Sequence, residues 1–520
     1  MTNNETDIKE AVEARRKAEE EALRAETQAD ESIPPSFIHG CLLANERGDG
    51  ALFAALHRDK LIFNKTSSEW YRWAGHHWEG DRMEESHTAV EAVSLKYLDQ
   101  ANDLEEKIKE AKVNKEADLA EKLSKKQAAY HGRIKRLNSV SGAQNCLTWA
   151  HRVEDGLKIR GEKFDLNPWL LACSNGVIEL TTGRFRAGRA CDALTKAAPH
   201  AWIDINHPAP LWEKFLGDTF AGEKEIIDYI RRLFGYGITG LATEHILPVL
   251  HGAGRNGKGT LVETLRYVLG PLAGPIQSEM LLDQRSSRSS SGPSPDIMTL
   301  KGLRIAFASE TDEGRKFSTS KAKWLSGGDT LTGRNPHDKY ETVFEPTHLL
   351  CLLTNHLPHA PGDDYAFWQR IHLVPFNVQF VDKPTADNER PRDKELPEKL
   401  KGEAPGILAW LVRGCIEWQS QGLNPPAVVR GATEQYRFNE DLLAEFIEAY
   451  CYDPADTPTE TRTQFKEIYD AFTEWFSQHC GDYPPKKKKF SQLMEKRFRK
   501  DKTGGHIYFY GLALRPETER

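Results

Sequence analysis

Residues 246–250 form an apolar, strand-sized run that leads straight into His251-Gly252-Ala253-Gly254-Arg255-Asn256-Gly257-Lys258-Gly259-Thr260, and a helical pattern continues over 261–269. Strand, glycine-rich loop and helix in that order are the setting a phosphate-binding loop requires, and they imply an α/β layer. The glycines allow positive φ, so consecutive backbone N–H groups can turn inward around phosphate oxygens. The helix N-terminus adds its partial positive charge, and Lys258 is placed to reach the β and γ phosphates. One position departs from G-x-x-x-x-G-K-[ST]: Gly259 stands where the Mg²⁺-binding hydroxyl is expected, and Thr260 supplies it one residue later. Gly252, Gly254, Asn256, Gly257, Lys258, Gly259, Thr260 and Leu261 are therefore the expected nucleotide-binding residues, with ATP and Mg²⁺ as cofactors. A plain glycine-rich turn before a helix is the other reading.

The Gly-Lys-Gly-Thr ending also fits a nucleoside monophosphate kinase. A kinase of that type would be compact, with the loop near its N-terminus, whereas here nearly 250 residues precede it. The chain beyond the loop favours a motor. Residues 303–310 read as a buried parallel strand ending in Glu310, expected beside the loop's own strand, where a carboxylate can hold Mg²⁺ through water and polarise an attacking water. The strand 349–353 ends in Thr354-Asn355, an amide placed to orient that water or sense the γ-phosphate. Between these strands, 324–339 read as a helix end and a turn-rich hairpin with Arg334, His337 and Lys339 at its tip.

In these features the sequence resembles the superfamily 3 helicases, and within them the phage/plasmid primase-helicase family related to poxvirus helicase-primases. The resemblance rests on Gly-x-Gly-x-Asn-Gly-Lys at 252–258, Ala-Ser-Glu at 308–310, Gly-Gly-Asp-x-Leu-Thr-Gly-Arg at 327–334, Thr-Asn-His-x-Pro at 354–358 and the Trp-x-Arg-Ile…Pro-Phe run at 368–376. Upstream, Asn175-Gly176-Val177 with Leu180 and Gly183 looks like the family's N-terminal module. The resemblance implies a hexameric AAA+ ring with ATP at subunit interfaces. Lys258 and Thr260 would bind phosphate and Mg²⁺, Glu310 would activate water and contact the metal, Asn355 would be the polar sensor, and Arg370 the arginine finger reaching a neighbour's ATP. The loop with Arg334, His337 and Lys339 resembles the hairpin that grips single-stranded DNA in the channel. Three positions depart from the family pattern: Gln369 replaces a frequent second Arg, Leu349 a common Lys, and Ser309 a second carboxylate.

The net charge of -7, from 70 Lys plus Arg against 77 Asp plus Glu, speaks against nucleic acid until it is divided by segment. From Glu5 to Glu31 ten acids face five bases, a solvated helical or disordered arm; from Pro484 to Lys502 nine bases face two acids. There Phe490–Phe498 has helical spacing, and 507–510 after Gly504-Gly505 reads as a wing strand. With helices at 441–452 and 463–479, this looks like a winged helix-turn-helix, with Lys486, Lys487, Lys488, Lys489, Lys496, Arg497 and Arg499 as DNA contacts. Trp70-Tyr71-Arg72-Trp73 before Gly75 reads as a strand hairpin. Residues 96–137 read as a helical hairpin with Leu98, Leu104, Ile108, Ala111, Leu119, Leu123, Ala128 and Ile134 on its stripe, and Asn175-Gly176 reads as a tight turn between two strands.

The expected architecture is thus multidomain α/β: an arm over 1–33, an α+β N-terminal module over 34–205, an AAA+ P-loop ATPase core over 206–425 and a winged helix over 426–520. No apolar stretch is long enough for a bilayer span, no secretory signal opens the chain, and the eight cysteines make no C-x-x-C pair. The expectation is a protein of a bacterial host's cytoplasm, an ATP-dependent DNA helicase of a phage, plasmid or other mobile element. Its partners would be single-stranded and forked DNA, copies of itself in a homo-hexamer and a separate primase, since no acidic primase site is found. An origin-binding replication initiator, a small-molecule kinase and a non-enzymatic DNA-binding scaffold are the alternatives.

Overall fold

The computed structural model describes residues 33–516 and 518, apart from 285–293, 310–313, 337–340, 363, 453, 455–456, 480–483 and 496. The arm over 1–32, Glu310, His337, Lys339 and Lys496 therefore lie outside the described residues. The chain divides into two compact units, one running to Leu166 and including Arg189–Thr195, the other made of Asn167–Gly188 and the chain from Lys196 onward.

The first unit opens with helices α1 (Pro35–Leu43) and α2 (Asn45–Leu56), followed by strands β1 (Leu61–Asn64), β2 (Glu69–Trp73) and β3 (Trp78–Gly80). The expected aromatic hairpin forms, with Trp73 opposite Trp78 and Gly75 in the turn at φ +88°. The helical hairpin also forms, as α3 (Glu91–Val113) and α4 (Ala117–Leu137), and α5 (Val140–Ala150) and the short strand β4 (Lys158–Ile159) complete the unit. The buried seam of α3 is Tyr97, Ala101, Leu104, Ile108 and Ala111, spaced alternately by four and three as in a coiled coil. Leu98 and Leu119, expected on the stripe, are exposed. Tyr97 takes the seam position because its ring packs on Tyr130 and its hydroxyl donates to buried Asp49 at 3.0 Å, which Arg133 of α4 pairs at 2.7 Å. A buried carboxylate needs such partners, since burial alone pushes its pKa up.

In the second unit, β5 (Leu170–Cys173), β6 (Gly176–Glu179), β7 (Arg184–Arg186) and β8 (Ala197–Ala198) make a sheet ordered β7-β6-β5-β8. Cys173 pairs with Gly176, so the two-residue turn is Ser174-Asn175, one position earlier than expected. Asn175 is there to clasp the chain: its amide donates to the Trp202 carbonyl and accepts from the Trp202 N–H, both at 2.9 Å.

Helices α6 (Pro210–Thr219) and α7 (Lys224–Gly237) precede the principal sheet, built from β9 (Leu247–His251), β10 (Ala273–Gln277), β11 (Ile305–Ser309), β14 (Leu349–Thr354) and β15 (Ile371–Pro375). Helix α8 (Lys258–Leu269) follows β9. Between β11 and β14 lie α9 (Thr319–Ser326) and the antiparallel hairpin of β12 (Leu331–Gly333) and β13 (Thr342–Phe344). All five principal strands are parallel, in the order β10-β11-β14-β9-β15. Such a sheet must be covered on both faces, which is why its strands are apolar throughout. Alternate residues of β14 serve two cores: Leu349 and Cys351 pack with α6, α7, α8 and α11 (Ala404–Gln421), and Leu350 and Leu352 with α9, α10 (Tyr365–Trp368) and α12 (Ala427–Tyr450). Leu349, where the family often has Lys, is thus a buried core residue.

Helices α7 and α11 cross with their backbones in contact. A Cβ added at Gly235 would fall inside the backbone of Gly414 and Cys415, and one at Gly414 inside that of Arg231. Gly235→Ala is expected to cost about 3 kcal/mol, since overpacking a rigid crossing forces backbone movement. A thermal midpoint within a degree of wild type would contradict this.

The C-terminal segment has its own core of Phe446, Phe472, Phe490, Met494 and Phe509. Its elements run from the end of α12 through β16 (Arg462–Gln464), α13 (Phe465–His479), α14 (Lys487–Glu495), β17 (Lys500–Thr503) and β18 (His506–Tyr510), with strand order β16-β18-β17. Thr503 pairs with His506, leaving Gly504-Gly505 as the turn with φ +60° and +83°, a conformation that glycine adopts without strain.

Candidate functional site

The loop after β9 is shaped by its glycines. Gly254 and Gly257 take φ of +108° and +84°, and a Cβ at Gly252 would press on the Phe376 carbonyl. The segment after β15 walls the loop: the Phe376 N–H donates to His251, the Phe380 N–H to Arg255 at 2.8 Å, and Asn256 Nδ2 to the Val378 carbonyl at 2.7 Å. Asn256 Oδ1 is buried and lacks a hydrogen-bond partner among the described residues. Gly259 faces open space at the start of α8, and Thr260 is half-buried beside it. Leu261 is wholly buried in the core with Leu265 and Val268, so its side chain anchors the helix and does not face the loop.

Lys258 is 8% exposed, and burial pushes its ammonium pKa down to about 8. Its Nζ donates to the Gly252 carbonyl at 2.6 Å and to Asn355 Oδ1 at 2.9 Å. Two residues singled out separately in the sequence, 97 positions apart, thus meet at one edge of the sheet. A buried cation held, among the described residues, by two neutral oxygens, beside an open helix N-terminus and the unpartnered Asn256 Oδ1, is a setting that an anion would complete. The residues present fit a nucleoside triphosphate. Of the two expected Mg²⁺ contacts, Thr260 stands at the loop and Glu310 lies outside the described residues.

Topology corrects one expectation. The strand that leads to Glu310 does not lie beside the loop's strand: β11 pairs with β14, and β14 pairs with β9. Asn355 therefore follows the strand next to the loop's own, and Ser309 ends its strand one place further out. Sequence order could not reveal this, because a crossover connection does not fix which strand inserts between two others.

Arg370 lies at the other end of the sheet. Its carbonyl accepts from the Leu247 N–H at the start of β9, whereas the glycine-rich loop leaves the end of that strand. Four strand steps separate the two edges, about 13 Å along β9. Its guanidinium donates to the Ala366 carbonyl at 2.6 Å, and Nε is buried without a partner among the described residues. The expected hairpin is present as β12–β13; Arg334 stands at its tip, half-buried, with its N–H donating to Ser294 Oγ at 3.2 Å.

The sequence reading missed the contacts around Asp364 and Glu440. Asp364 caps α10 by accepting from the Phe367 N–H and pairs with Lys323 of α9 at 2.9 Å. Glu440 of α12 holds His359 at 3.1 Å and the Ala360 N–H, just after Asn355. These acids stand in no motif, and only their partners' positions mark them.

In the C-terminal segment Lys486, Lys487, Lys488 and Lys489 are all exposed at the start of α14, whose first turn holds no acid. Ammonium groups at the positive end of a helix disfavour it by a few tenths of a kcal/mol each. Phe490 and Met494 anchor the helix in the core, and Lys487 Nζ lies 5.3 Å over the Tyr469 ring. Arg497 and Arg499 are exposed next to the hairpin, Arg499 lying 5.1 Å over the Tyr510 ring.

Comparison with known proteins relates the chain to a family model and to viral proteins. A family model described as "D5 N terminal like" matches residues 50–221. Three viral proteins, each described as a putative helicase, are similar to the chain. That of Acanthamoeba polyphaga mimivirus is 29% identical over 333 residues, 62% of this chain and 34% of that protein. That of Frog virus 3 is 31% identical over 238 residues, 44% of this chain and 24% of that protein. That of Invertebrate iridescent virus 6 is 24% identical over 380 residues, 67% of this chain and 39% of that protein. The matched part thus spans 24–39% of these relatives' length. The apo C-terminal region of NrS-1 aligns at 12% identity over 69% of this chain and 86% of that chain, with a TM-score of 0.35, a likeness too slight to add to the relationship.

The fold is a multidomain α/β architecture built on a parallel sheet. The match over residues 50–221 and the similarity to viral putative helicases agree with the superfamily 3 resemblance read from the motifs. No helix among the described residues is long and apolar enough to cross a membrane. The relatives come from viruses named for an amoeba, a frog and invertebrates, so they lend no support to a phage, plasmid or bacterial-cytoplasm setting.

Proposed function

We propose that the chain is the motor of an ATP-driven DNA helicase: a P-loop AAA+ core that hydrolyses ATP between subunits of a ring, followed by a winged helix that contacts DNA. The observation that carries this reading is the placement of Lys258 with Asn355 at one edge of the sheet and Arg370 at the other. A finger some 13 Å from its own loop along β9 can complete a site only on a neighbouring copy, so hydrolysis would depend on assembly.

In this reading the backbone N–H groups of 254–259 hold the phosphates, and Lys258 leaves the Gly252 carbonyl for the β and γ oxygens. Asn355, released from Lys258, is free to orient the attacking water. Mg²⁺, held by Thr260 and Glu310, would neutralise phosphate charge. The hairpin bearing Arg334, His337 and Lys339 would follow one strand of DNA, and 3′ to 5′ movement is implied by the family resemblance alone.

The test is strand displacement on forked DNA. Wild type is expected to unwind with ATP and Lys258→Ala to fail, and wild-type protein that hydrolyses ATP without any response to DNA would refute the reading. A second reading, an origin-binding initiator, is favoured by the exposed lysines at the start of α14. Replacing Lys486, Lys487, Lys488 and Lys489 with alanine is expected to flatten the salt dependence of DNA binding by about 3 to 4 in log–log slope. Equal losses on all sequences would support non-specific contact, and a selective loss on one sequence would support the initiator.

A further inference from the structure

The hairpin expected to touch DNA and the arginine expected to touch ATP lie on different elements, and the structure ties those elements together at one carboxylate. Helix α9 runs from Thr319 to Ser326 and leads through Gly327-Gly328 into β12 of the hairpin. Helix α10 is a single turn, Tyr365–Trp368, that ends two residues before Arg370. Asp364 joins them. One of its oxygens, Oδ1, accepts from the Phe367 N–H at 3.1 Å and so caps α10, and both oxygens accept from Lys323 Nζ of α9, at 3.2 and 2.9 Å. Beneath the pair, Phe317 just ahead of α9 packs on Phe367 of α10 with ring centroids 5.1 Å apart, both rings wholly buried.

A side chain that only capped α10 would have no need of Lys323, and a one-turn helix has little internal rigidity of its own. The carboxylate therefore takes its position from α9 and passes it to the turn that carries Arg370. A shift of the hairpin that moved α9 would move Asp364, and with it the start of α10. We propose that Asp364 and Lys323 are positioning residues that couple DNA engagement at the hairpin to placement of Arg370 at the neighbouring subunit's ATP. This rests on the reading of the chain as a DNA-stimulated ATPase.

The test uses the full chain, with ATPase turnover measured with and without saturating single-stranded oligonucleotide. Asp364→Asn keeps a good helix cap while removing the charge, and Lys323→Met keeps length without charge. Each is expected to lower the ratio of DNA-stimulated to basal kcat by about five- to tenfold, with basal kcat, KM for ATP and thermal midpoint within about twofold or two degrees of wild type. Lys323→Arg, which preserves the ion pair, is expected to restore the ratio. If both charge-removing variants keep the wild-type ratio, or if basal and stimulated turnover fall together, the pair is merely structural and the proposal fails. If wild type itself shows no stimulation, the helicase reading fails and takes this one with it; stimulation intact in wild type and variants alike removes only the coupling role.

Discussion

Lys258→Ala is expected to lower ATP hydrolysis by about 10²- to 10³-fold, the range seen when one preorganised charge-stabilising donor is removed. The reason is specific to its setting. Lys258 is buried, and its present partners are the neutral Gly252 carbonyl and Asn355 amide, so the site holds a cation at reduced pKa with no counter-charge described beside it. The pKa of about 8 also fixes a pH signature. Bound phosphate favours the ammonium form and raises this pKa, so binding takes up a proton above pH 8, and affinity falls as pH rises through the free protein's value. Titration calorimetry in two buffers of different ionisation enthalpy, between about pH 7 and 9.5, would show the uptake as a buffer-dependent heat. Lys258→Ala is expected to abolish that dependence. Wild-type affinity that stays flat over the range would mean the lysine does not meet the phosphates.

Arg370→Ala is expected to leave nucleotide binding near wild type and to reduce hydrolysis by about 10³-fold or more, the contribution of an arginine finger. Position separates it from Lys258, since its strand starts where β9 starts and the loop leaves where β9 ends. Mixing the two inactive variants should then restore part of the activity. An Arg370→Ala subunit still offers an intact loop, and a neighbouring Lys258→Ala subunit still offers an intact finger. Mixed assemblies that stay as inactive as either variant alone would place the arginine in its own subunit's chemistry or outside the reaction.

Much of the local structure was legible because it is written in near neighbours. The strand, glycine-rich loop and helix around Lys258, the Trp73–Trp78 hairpin, the two-helix hairpin and the Gly504-Gly505 turn all arise from short-range pattern and backbone preference. The errors came where a third element decides. Leu98 and Leu119 fit a helical stripe by spacing, but the seam is set by Tyr97 reaching Asp49 and by α4 packing opposite. Leu261 adjoins the loop in sequence but points into the core because a helix turns about 100° per residue.

The sequence by itself determined which chemistry this chain carries: a lysine after glycines at a helix N-terminus, an asparagine and an acid at strand ends, and bases gathered near the C-terminus. Only the tertiary structure decided which of these meet. The parallel sheet inserted β14 between β9 and β11, bringing Asn355 to Lys258, and set Arg370 at the far edge. It also brought Asp364 onto Lys323 across 41 residues. Side-chain type is a property of one position, whereas strand order and helix contact are set by burying apolar surface along the whole chain.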